Sequence, residues 1–284
     1  MKLAIIIDST CDLSAAELDQ LGVERVPLYV NFQGETKRDW LDITPADIIA
    51  GSHAGADLPT TSQPSPQDFA EVFDRVTAAG AEQILVITLT AELSGTYQSA
   101  VIAAEDAKAQ VKVFDSRAAS LGHGEMARVA AAMRDRGADL DEIVPALERI
   151  RDTNLLLFTV GTMEYLQKGG RIGKASAMLG SLLNIKPILT LEDGKIEPLS
   201  RARGMKKAQQ EMVARFKAYV DAASVPVIAN LVHIQDVEAA EGLRRALEAA
   251  GVSYTLNGIH ELGAVIGSHV GPNTFGIYAH HAVE

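Results

Sequence analysis

The feature that most constrains the fold is a recurring order along the first half of the chain. Short apolar runs rich in β-branched residues are each followed by small hydroxyl or acidic residues and then by a helical pattern. Such runs with little alternation are typical of strands buried on both faces of a parallel sheet. The strand patterns lie at residues 3–7, 84–88 and 111–114, and the helical patterns at residues 14–21, 66–79, 95–109, 122–136 and 140–151.

After a further strand pattern at residues 155–162, the order of strand and helix patterns in the sequence changes. Asp193-Gly194 lies between apolar runs at 187–191 and 195–199, which indicates a tight β-hairpin. Helical patterns also occur at 175–183, 205–222 and 237–250, and strand patterns at 225–234, 252–259 and 275–279. We therefore predict an α/β fold of two α/β domains. Residues 1–158 form a mostly parallel sheet flanked by helices, and residues 159–284 form a mixed sheet with helices.

Composition excludes several classes of protein. No apolar stretch reaches the roughly 18 to 20 residues of a membrane span, and the run at 3–7 is too short for a signal peptide. The single cysteine, Cys11, allows no internal disulfide, so we expect a cytoplasmic protein and interpret Cys11 as packing. A net charge of −11 argues against nucleic-acid binding. Residues 164–207 nevertheless carry nine basic against four acidic side chains, which suits an anion site, a docking face or a solvated surface.

Short hydroxyl residues follow the predicted strands, where open α/β sheets bind their ligands. Ser94-Gly95 precedes a helical pattern, and a helix start offers free N–H donors to an anion. The alternative is that Ser94 is an ordinary N-cap. Thr60-Thr61-Ser62 is interpreted by itself as a turn before the next helix, which Ser65 caps and Pro66 begins.

The glycine-rich segment at residues 168–174 does not have the spacing of a nucleotide-binding loop. Lys168 stands where a Walker loop needs glycine, and Ala175 stands where it needs Ser or Thr. Glycines beside Arg171 can still present backbone donors to an anion or adapt to a partner. A mobile connection with solvated charges is the alternative.

None of the seven histidines forms a metal-ligand pair of the H-E-x-x-H type, so we predict no metal site. His269 lies in an apolar, glycine-rich stretch at 263–272, where an imidazole can hydrogen-bond a ligand oxygen or simply a backbone group. Serine-hydrolase chemistry would need Ser94 or Ser268 beside a histidine and an acid. No G-x-S-x-G elbow is present.

Taken together, these motifs resemble the DegV family of bacterial fatty-acid-binding proteins, also called FakB proteins, over nearly the whole chain. The segments that carry the resemblance are Asp8-Ser-Thr-Cys-Asp-Leu13, Thr61-Ser-Gln-Pro-Ser65, Leu93-Ser-Gly-Thr-Tyr-Gln-Ser99, Asp115-Ser116, Tyr165-Leu-Gln-Lys-Gly-Gly-Arg-Ile-Gly173, Lys186-Pro-Ile-Leu189 and Gly263-Ala-Val-Ile-Gly-Ser-His-Val-Gly-Pro272. The resemblance implies that a long acyl chain is buried between or beneath two α/β domains, with lipid binding assigned to the second. It also implies a partner, an ATP-dependent, FakA-like fatty-acid kinase that phosphorylates the carboxylate for phospholipid synthesis.

Motif by motif, the resemblance also implies a set of site residues. The carboxylate ligands would be Thr61, Ser94 and His269, supported by the hydroxyl of Ser62 and the backbone N–H of Gly95. Two arginines would face the kinase or the phosphoryl group, namely Arg171 and Arg203, although Arg201 matches the second position equally well. Asn273 stands where many members have glycine, which bears on loop geometry. The apolar tunnel would use residues 175–183 and Val265-Ile266, which also suit an ordinary core.

We therefore expect a lipid-binding carrier and kinase accessory protein with no catalytic residue and no cofactor, whose ligand is a long-chain fatty acid. Two alternatives stay open. An acyl-ester hydrolase using Ser94 and His269 would turn over chromogenic esters. A lipid-free interaction protein would bind its partner through the basic segment at residues 168–207.

Overall fold

The computed structural model describes residues 2–53, 57–178 and 184–283, which fold around two principal sheets and one small sheet. The strands of this part of the chain are β1 (Leu3–Asp8), β2 (Val23–Val26), β3 (Tyr29–Phe32), β4 (Glu35–Arg38), β5 (Thr60–Ser62), β6 (Gln83–Thr88), β7 (Gln110–Asp115), β8 (Leu155–Thr159), β9 (Ile185–Glu192), β10 (Lys195–Arg203), β11 (Val227–His233), β12 (Thr255–Glu261) and β13 (Phe275–His281). The α-helices are α1 (Ala15–Leu21), α2 (Pro45–His53), α3 (Pro66–Ala78), α4 (Thr96–Ala104), α5 (Leu121–Asp135), α6 (Leu140–Thr153), α7 (Glu164–Lys168), α8 (Met205–Ala222), α9 (Val237–Ala249) and α10 (Ala264–Val270). Two 3₁₀ helices span Ser9–Cys11 and Gly173–Met178.

The first sheet confirms the predicted parallel arrangement. Its order is β2-β1-β6-β7, with every pair parallel. Ile5, Ile6 and Ile7 of β1 are fully buried although they alternate between the two faces, because helices cover both sides. The carboxyl ends of these strands bring the segments after Asp8, Thr88 and Asp115 to one edge.

The second sheet confirms the predicted mixed arrangement. Its order is β10-β9-β8-β13-β11-β12, and all of its neighbouring strands are antiparallel except β11 and β12. The turn of the predicted hairpin consists of Asp193 and Gly194, both with positive φ, between the paired residues Glu192 and Lys195. Of the predicted helix at 175–183, residues 175–178 belong to the 3₁₀ helix Gly173–Met178 and residues 179–183 lie outside the described residues.

The third sheet corrects one local prediction. Residues 60–62 were expected to form a turn, but they form β5, which pairs antiparallel with β3 and sets Thr61 opposite Val30. The partner strand lies about thirty residues earlier, so no local pattern reveals this pairing. The small sheet packs against α10, which it brings next to Thr61.

The proposed division between residues 158 and 159 stays a prediction, but sheet membership bears on its position. Strand β8 pairs with β13 and β9, so residues 155–159 belong entirely to the second sheet. One apolar cluster contains Ile5 and Leu147 from the first half together with Val232 and Leu262 from the second. The two halves therefore share a core, and helix α5 contacts both β1 and β13.

Candidate functional site

An apolar cavity of about 330 Å³ lies where the two halves meet. Its size falls at the lower end of the range for small-molecule sites. The apolar side chains in its wall come from both sides of residue 158: Leu28, Leu89, Leu93, Leu156, Phe158, Leu166, Leu191, Ile196, Val232, Leu262, Val265, Ile266 and Val270. The second half thus does not form the cavity alone. Of the two proposed tunnel segments, Val265-Ile266 lines the wall, whereas no described residue of 175–178 does.

Several polar side chains share this wall. They are Thr61, Ser62, Gln63, Ser94, Ser120, Arg171, His269 and Thr274. Five of the seven residues implied by the resemblance are therefore in the cavity wall, and Gly95 is next to Ser94. The seventh, Arg203, is exposed on β10 and is outside the cavity lining, as is Arg201, which donates to the carbonyl of Ala177.

Contacts between neighbours join the polar residues into one group, which we call the head-group cluster: Thr61, Ser62, Gln63, Ser94, Gly95, Arg171 and His269. The Thr61 hydroxyl lies 2.7 Å from Nε2 of His269. Arg171 donates from Nε to the carbonyl of Leu93, 3.0 Å away, and from Nη1 to the carbonyl of Gly169, 2.7 Å away. A methyl group at Gly95 would collide with the side chain of Gln63, so glycine allows this close approach.

The Ser94 hydroxyl is directed toward the start of α4. It lies 2.9 Å from the Thr96 hydroxyl and accepts from the Thr96 backbone N–H at 3.4 Å. The N-cap itself is Gly95, which has no side chain to cap the helix. Ser94 is therefore not the N-cap residue, and the helix start next to it keeps N–H donors for another partner.

His269 is a neutral imidazole at the end of α10. Burial, and secondarily the positive charge of Arg171, lower its pKa from an ordinary 6.5 to about 4. Its ring packs against the backbone of Gly169, where a side chain would collide with Nδ1. Gly169 and Gly173 thus both allow close packing. At Gly173 a methyl group would collide with the carbonyl oxygen of Ile196. The segment is not a solvated connection at these two positions.

The geometry does not assemble a serine hydrolase from Ser94 and His269. In the described part of the chain the imidazole meets Thr61, while the Ser94 hydroxyl meets Thr96. A nucleophilic serine needs its base within hydrogen-bond reach. Within residues 2–53, 57–178 and 184–283, no group of three or more His, Cys, Asp or Glu side chains is placed to hold a metal ion.

Two further sequence predictions concern Cys11 and membrane-spanning helices. Cys11 is fully buried in the apolar core, and burial raises the pKa of its thiol, which confirms its packing role. No described helix is both long enough and apolar enough to cross a membrane. Sequence reasoning missed Gln63 and Ser120 in the wall. The Ser120 backbone has φ 56° and ψ −139°, which no sequence pattern announced.

The polar cluster inside an apolar cavity can be compared with known proteins. A model of the DegV family, described as an uncharacterised protein family, matches residues 2–281. This chain belongs to the DegV family. A DegV domain-containing protein from Deinococcus radiodurans is 37% identical over 277 residues, which cover 98% of each chain.

Solved structures of similar proteins share the fold over nearly the full length. The fatty-acid-binding DegV family protein from Thermus thermophilus is 43% identical with a TM-score of 0.94, covering 99% of this chain and 100% of that one. A stearic-acid-binding protein from Eubacterium ventriosum is 27% identical with a TM-score of 0.88, covering 99% and 98%. The family and the fold predicted from the motifs are thereby confirmed.

Proposed function

We propose that this protein binds one long-chain fatty acid, with its carboxylate at the head-group cluster and its acyl chain along the apolar wall. The observation that carries the proposal is the cavity itself, whose wall is mostly apolar and holds the side chains of the head-group cluster, with Ser120 and Thr274 as the other polar lining residues. Such a division suits a molecule with a single polar end. The two solved relatives above are described as binding fatty acids, one of them stearic acid.

The head-group cluster suits a carboxylate because it supplies neutral donors beside one cation. With the proton on Nε2, neutral His269 donates to the Thr61 oxygen, which leaves the Thr61 hydroxyl proton for the ligand. Ser94 with the N–H of Gly95 provides a second set of donors at the start of α4, and Ser62 a further hydroxyl. Arg171 uses Nε and Nη1 to hold Leu93 and Gly169, so its charge stays fixed near the carboxylate.

The apolar wall supplies the greater part of the binding free energy. Burying a chain of about 16 carbons at roughly 0.8 kcal/mol per methylene gives a gross gain on the order of 12 kcal/mol before ordering costs. Neutral hydroxyls then need only orient the carboxylate. A carboxylate held in this way keeps its nucleophilic oxygen, whereas a tight ion pair would withdraw charge from it.

We further propose that the bound acid is presented to an ATP-dependent, FakA-like fatty-acid kinase in the cytoplasm. A carboxylate oxygen would attack the γ-phosphorus of ATP, and ADP would leave as the acyl phosphate forms. A surface groove next to the cavity shares Leu93, Arg171 and Ile196 with it, and its Lys174 and Lys195 pair with Glu197 and Glu92 of the same groove. The position of Arg171 between cavity and groove supports a phosphoryl-facing role for its side chain. Exposed Arg203 would contact the kinase itself.

The variant Arg171→Ala tests this division of roles. Because the acyl chain dominates binding, we expect fatty-acid affinity to fall by no more than about threefold, and acyl-phosphate formation with the kinase to fall by about tenfold or more. Displacement of a fluorescent fatty acid measures the first quantity and acyl-phosphate yield the second. Lys168→Ala is the control, because Lys168 is exposed and pairs with Glu164 at 2.8 Å. Loss of acid binding in Arg171→Ala would contradict the division.

A further inference from the structure

Helix α10 carries His269 near its end but lacks a capping side chain at its start. Its N-cap is Gly263, with extended backbone at φ −68° and ψ 175°. The first N–H groups of a helix have no partner within the helix, and burial without one destabilises the structure. Gly263, Ala264 and Val265 are in a buried region, so their N–H groups need acceptors from elsewhere.

Two buried carboxyl groups from the first half provide these acceptors. Asp12 Oδ1 accepts from the Gly263 N–H at 2.9 Å, and Asp39 Oδ1 accepts from the Val265 N–H at 3.3 Å. The Ala264 N–H also lies near the Asp39 carboxyl. The residues in these bonds are more than 220 positions apart in the sequence, so the helix is capped by a different part of the chain.

Asp39 also anchors a second piece of the cavity wall. Its other oxygen, Oδ2, accepts from the Ser9 hydroxyl at 2.8 Å, and the Ser9 oxygen accepts from the Leu28 N–H at 3.0 Å. The Asp39 N–H in turn donates to the Leu28 carbonyl at 2.9 Å. Leu28, the residue just before β3, and Val265 of α10 both line the cavity, so this carboxyl group ties together two segments of its wall.

Asp12 and two residues close to it have backbone conformations that are strained for residues other than glycine. Asp12, Trp40 and Ser120 all have positive φ, at 55°, 64° and 56°. The Ser120 hydroxyl and the Trp40 indole N–H are buried near the Asp12 carboxyl. Left-handed backbone at bulky residues persists only where the surrounding contacts impose it. A methyl group at Gly263 would collide with the Trp40 indole, so the helix start is closely packed here.

The opposite end of α10 carries the head-group contact. His269 lies four residues after Val265, about 6 Å along the helix axis at 1.5 Å per residue. Its ring is held between Thr61 and Gly169, and Val265, Ile266 and Val270 of the same helix line the cavity. A helix this short moves as a rigid unit, so displacement of its start displaces His269.

We infer that Asp39 and Asp12 are positioning residues of the fatty-acid site: they cap α10 from the first half and thereby hold His269 against Thr61. This inference rests on the proposed function for its link to ligand binding. Neither carboxyl group is in the described cavity lining, so neither acts by touching the acid. It also gives a role to the Asp8–Asp12 motif, which the sequence singled out and the ligand contacts do not use.

The test compares three variants by two independent measurements. Asp39→Ala removes the cap, Asp39→Asn keeps one acceptor oxygen for the Val265 N–H, and Asp42→Ala removes a nearby exposed carboxylate that pairs with Arg38. The measurements are the dissociation constant for oleate and the ¹³C imidazole signals of His269 in lipid-free protein, assigned with His269→Gln. We expect about tenfold weaker binding and shifted His269 signals in Asp39→Ala. We expect at most about threefold weaker binding in Asp39→Asn and no change in Asp42→Ala.

The outcomes are distinct. Wild-type affinity or unchanged His269 signals in Asp39→Ala would overturn the inference. If the wild-type protein binds no oleate but the His269 signals shift in Asp39→Ala, the positioning role stands and the fatty-acid function fails. Should Asp39→Ala not fold, Ser9→Ala decides, because it removes the bonds of the Ser9 hydroxyl to Asp39 Oδ2 and to the Leu28 N–H but leaves Asp39 Oδ1 bonded to the Val265 N–H. Its affinity and His269 signals should change in the same direction by a smaller amount, and no change would again overturn the inference.

Discussion

At the scale of single residues, His269 allows the sharpest pH prediction. Its pKa of about 4 keeps the imidazole neutral, so fatty-acid affinity should show no inflection from this group between about pH 5 and 8. The folded-state pKa lies below the ordinary value of 6.5. The stability that the neutral ring contributes is therefore present above pH 6.5 and is lost as the pH falls through 4.

The free energies of unfolding of the wild-type protein and of His269→Gln, measured side by side between about pH 4 and 8, test the direction of this pH dependence. The advantage of the wild type over the variant should shrink on acidification by up to about 3 kcal/mol. Glutamine keeps a polar group at position 269 but does not titrate. The difference between the two proteins therefore reports the titration of the imidazole. An imidazole signal from His269 that titrates near pH 6.5 would contradict the buried, neutral state.

Individual residues differ in how far the sequence could predict them. Ser65 accepts from the Asp68 N–H as the N-cap of α3, as Ser-Pro at a helix start indicates, because capping is decided within four residues. Thr61 was assigned to a turn because its pairing with Val30 is not local. Asp12 and Asp39 escaped notice as helix caps for the same reason, since the N–H groups they bind lie in another half of the chain.

At the scale of elements, the packing of α7 against α10 depends on Gly169. This glycine has φ −72° and ψ −8°, so alanine there is free of backbone strain and acts only through its methyl group. The methyl group would collide with His269 and lie 2.9 Å from the Tyr165 carbonyl. We expect Gly169→Ala to weaken fatty-acid binding by about tenfold and to lower the free energy of unfolding by about 1–3 kcal/mol.

A glycine in α9 provides the control for that measurement. In Gly242→Ala the new methyl group would meet the ends of two flexible side chains, Gln209 at 3.2 Å and Arg245 at 3.9 Å. This variant should bind the acid like the wild type in the same displacement assay. Equal affinity in Gly169→Ala and Gly242→Ala would show that the contact between Gly169 and His269 does not hold the head-group cluster together.

Elements whose signals are local were predicted closely. The hairpin at Asp193-Gly194 and helix α8 match the structure because turn residues and helical periodicity act over a few residues. The helix predicted over 95–109 ends at Ala104 instead, since residues 105–109 return the chain to pair Gln110 with Gln83. The short elements β3, β4 and β5 depend on each other for pairing, and no periodicity of their own marks them.

At the scale of the whole molecule, a buried polar network joins the two halves. Glu125 of α5 accepts from Asn230 of β11 at 2.9 Å and from Asn257 of β12 at 3.0 Å, and it also pairs with Arg128. Burial raises the pKa of Glu125, but His280, Arg128 and Asn230 outweigh it and lower the pKa to about 2. Together with the shared apolar core, this network fixes the relative position of the walls that enclose the cavity.

The sequence supported two α/β units with one parallel and one mixed sheet, but not the location of the cavity between them. Strand patterns indicate the type of sheet, because a strand buried on one face alternates apolar with polar residues and a strand buried on both faces does not. They do not reveal that Leu28 and Phe158 face the same space as Val265. The motif resemblance supplied five of the eight polar residues in the cavity wall, and only the fold shows how Thr61, Arg171 and His269 contact one another or one another's neighbours.

Mass spectrometry of a solvent extract from protein purified from a bacterial host, together with native mass spectrometry of the intact complex, shows whether the cavity holds a fatty acid. A cavity of this composition predicts one long-chain fatty acid per chain, present in the extract and lost on delipidation, and regained when free acid is added. A chain that carries no lipid and takes up none from added fatty acid would contradict the account, and would favour the lipid-free interaction protein.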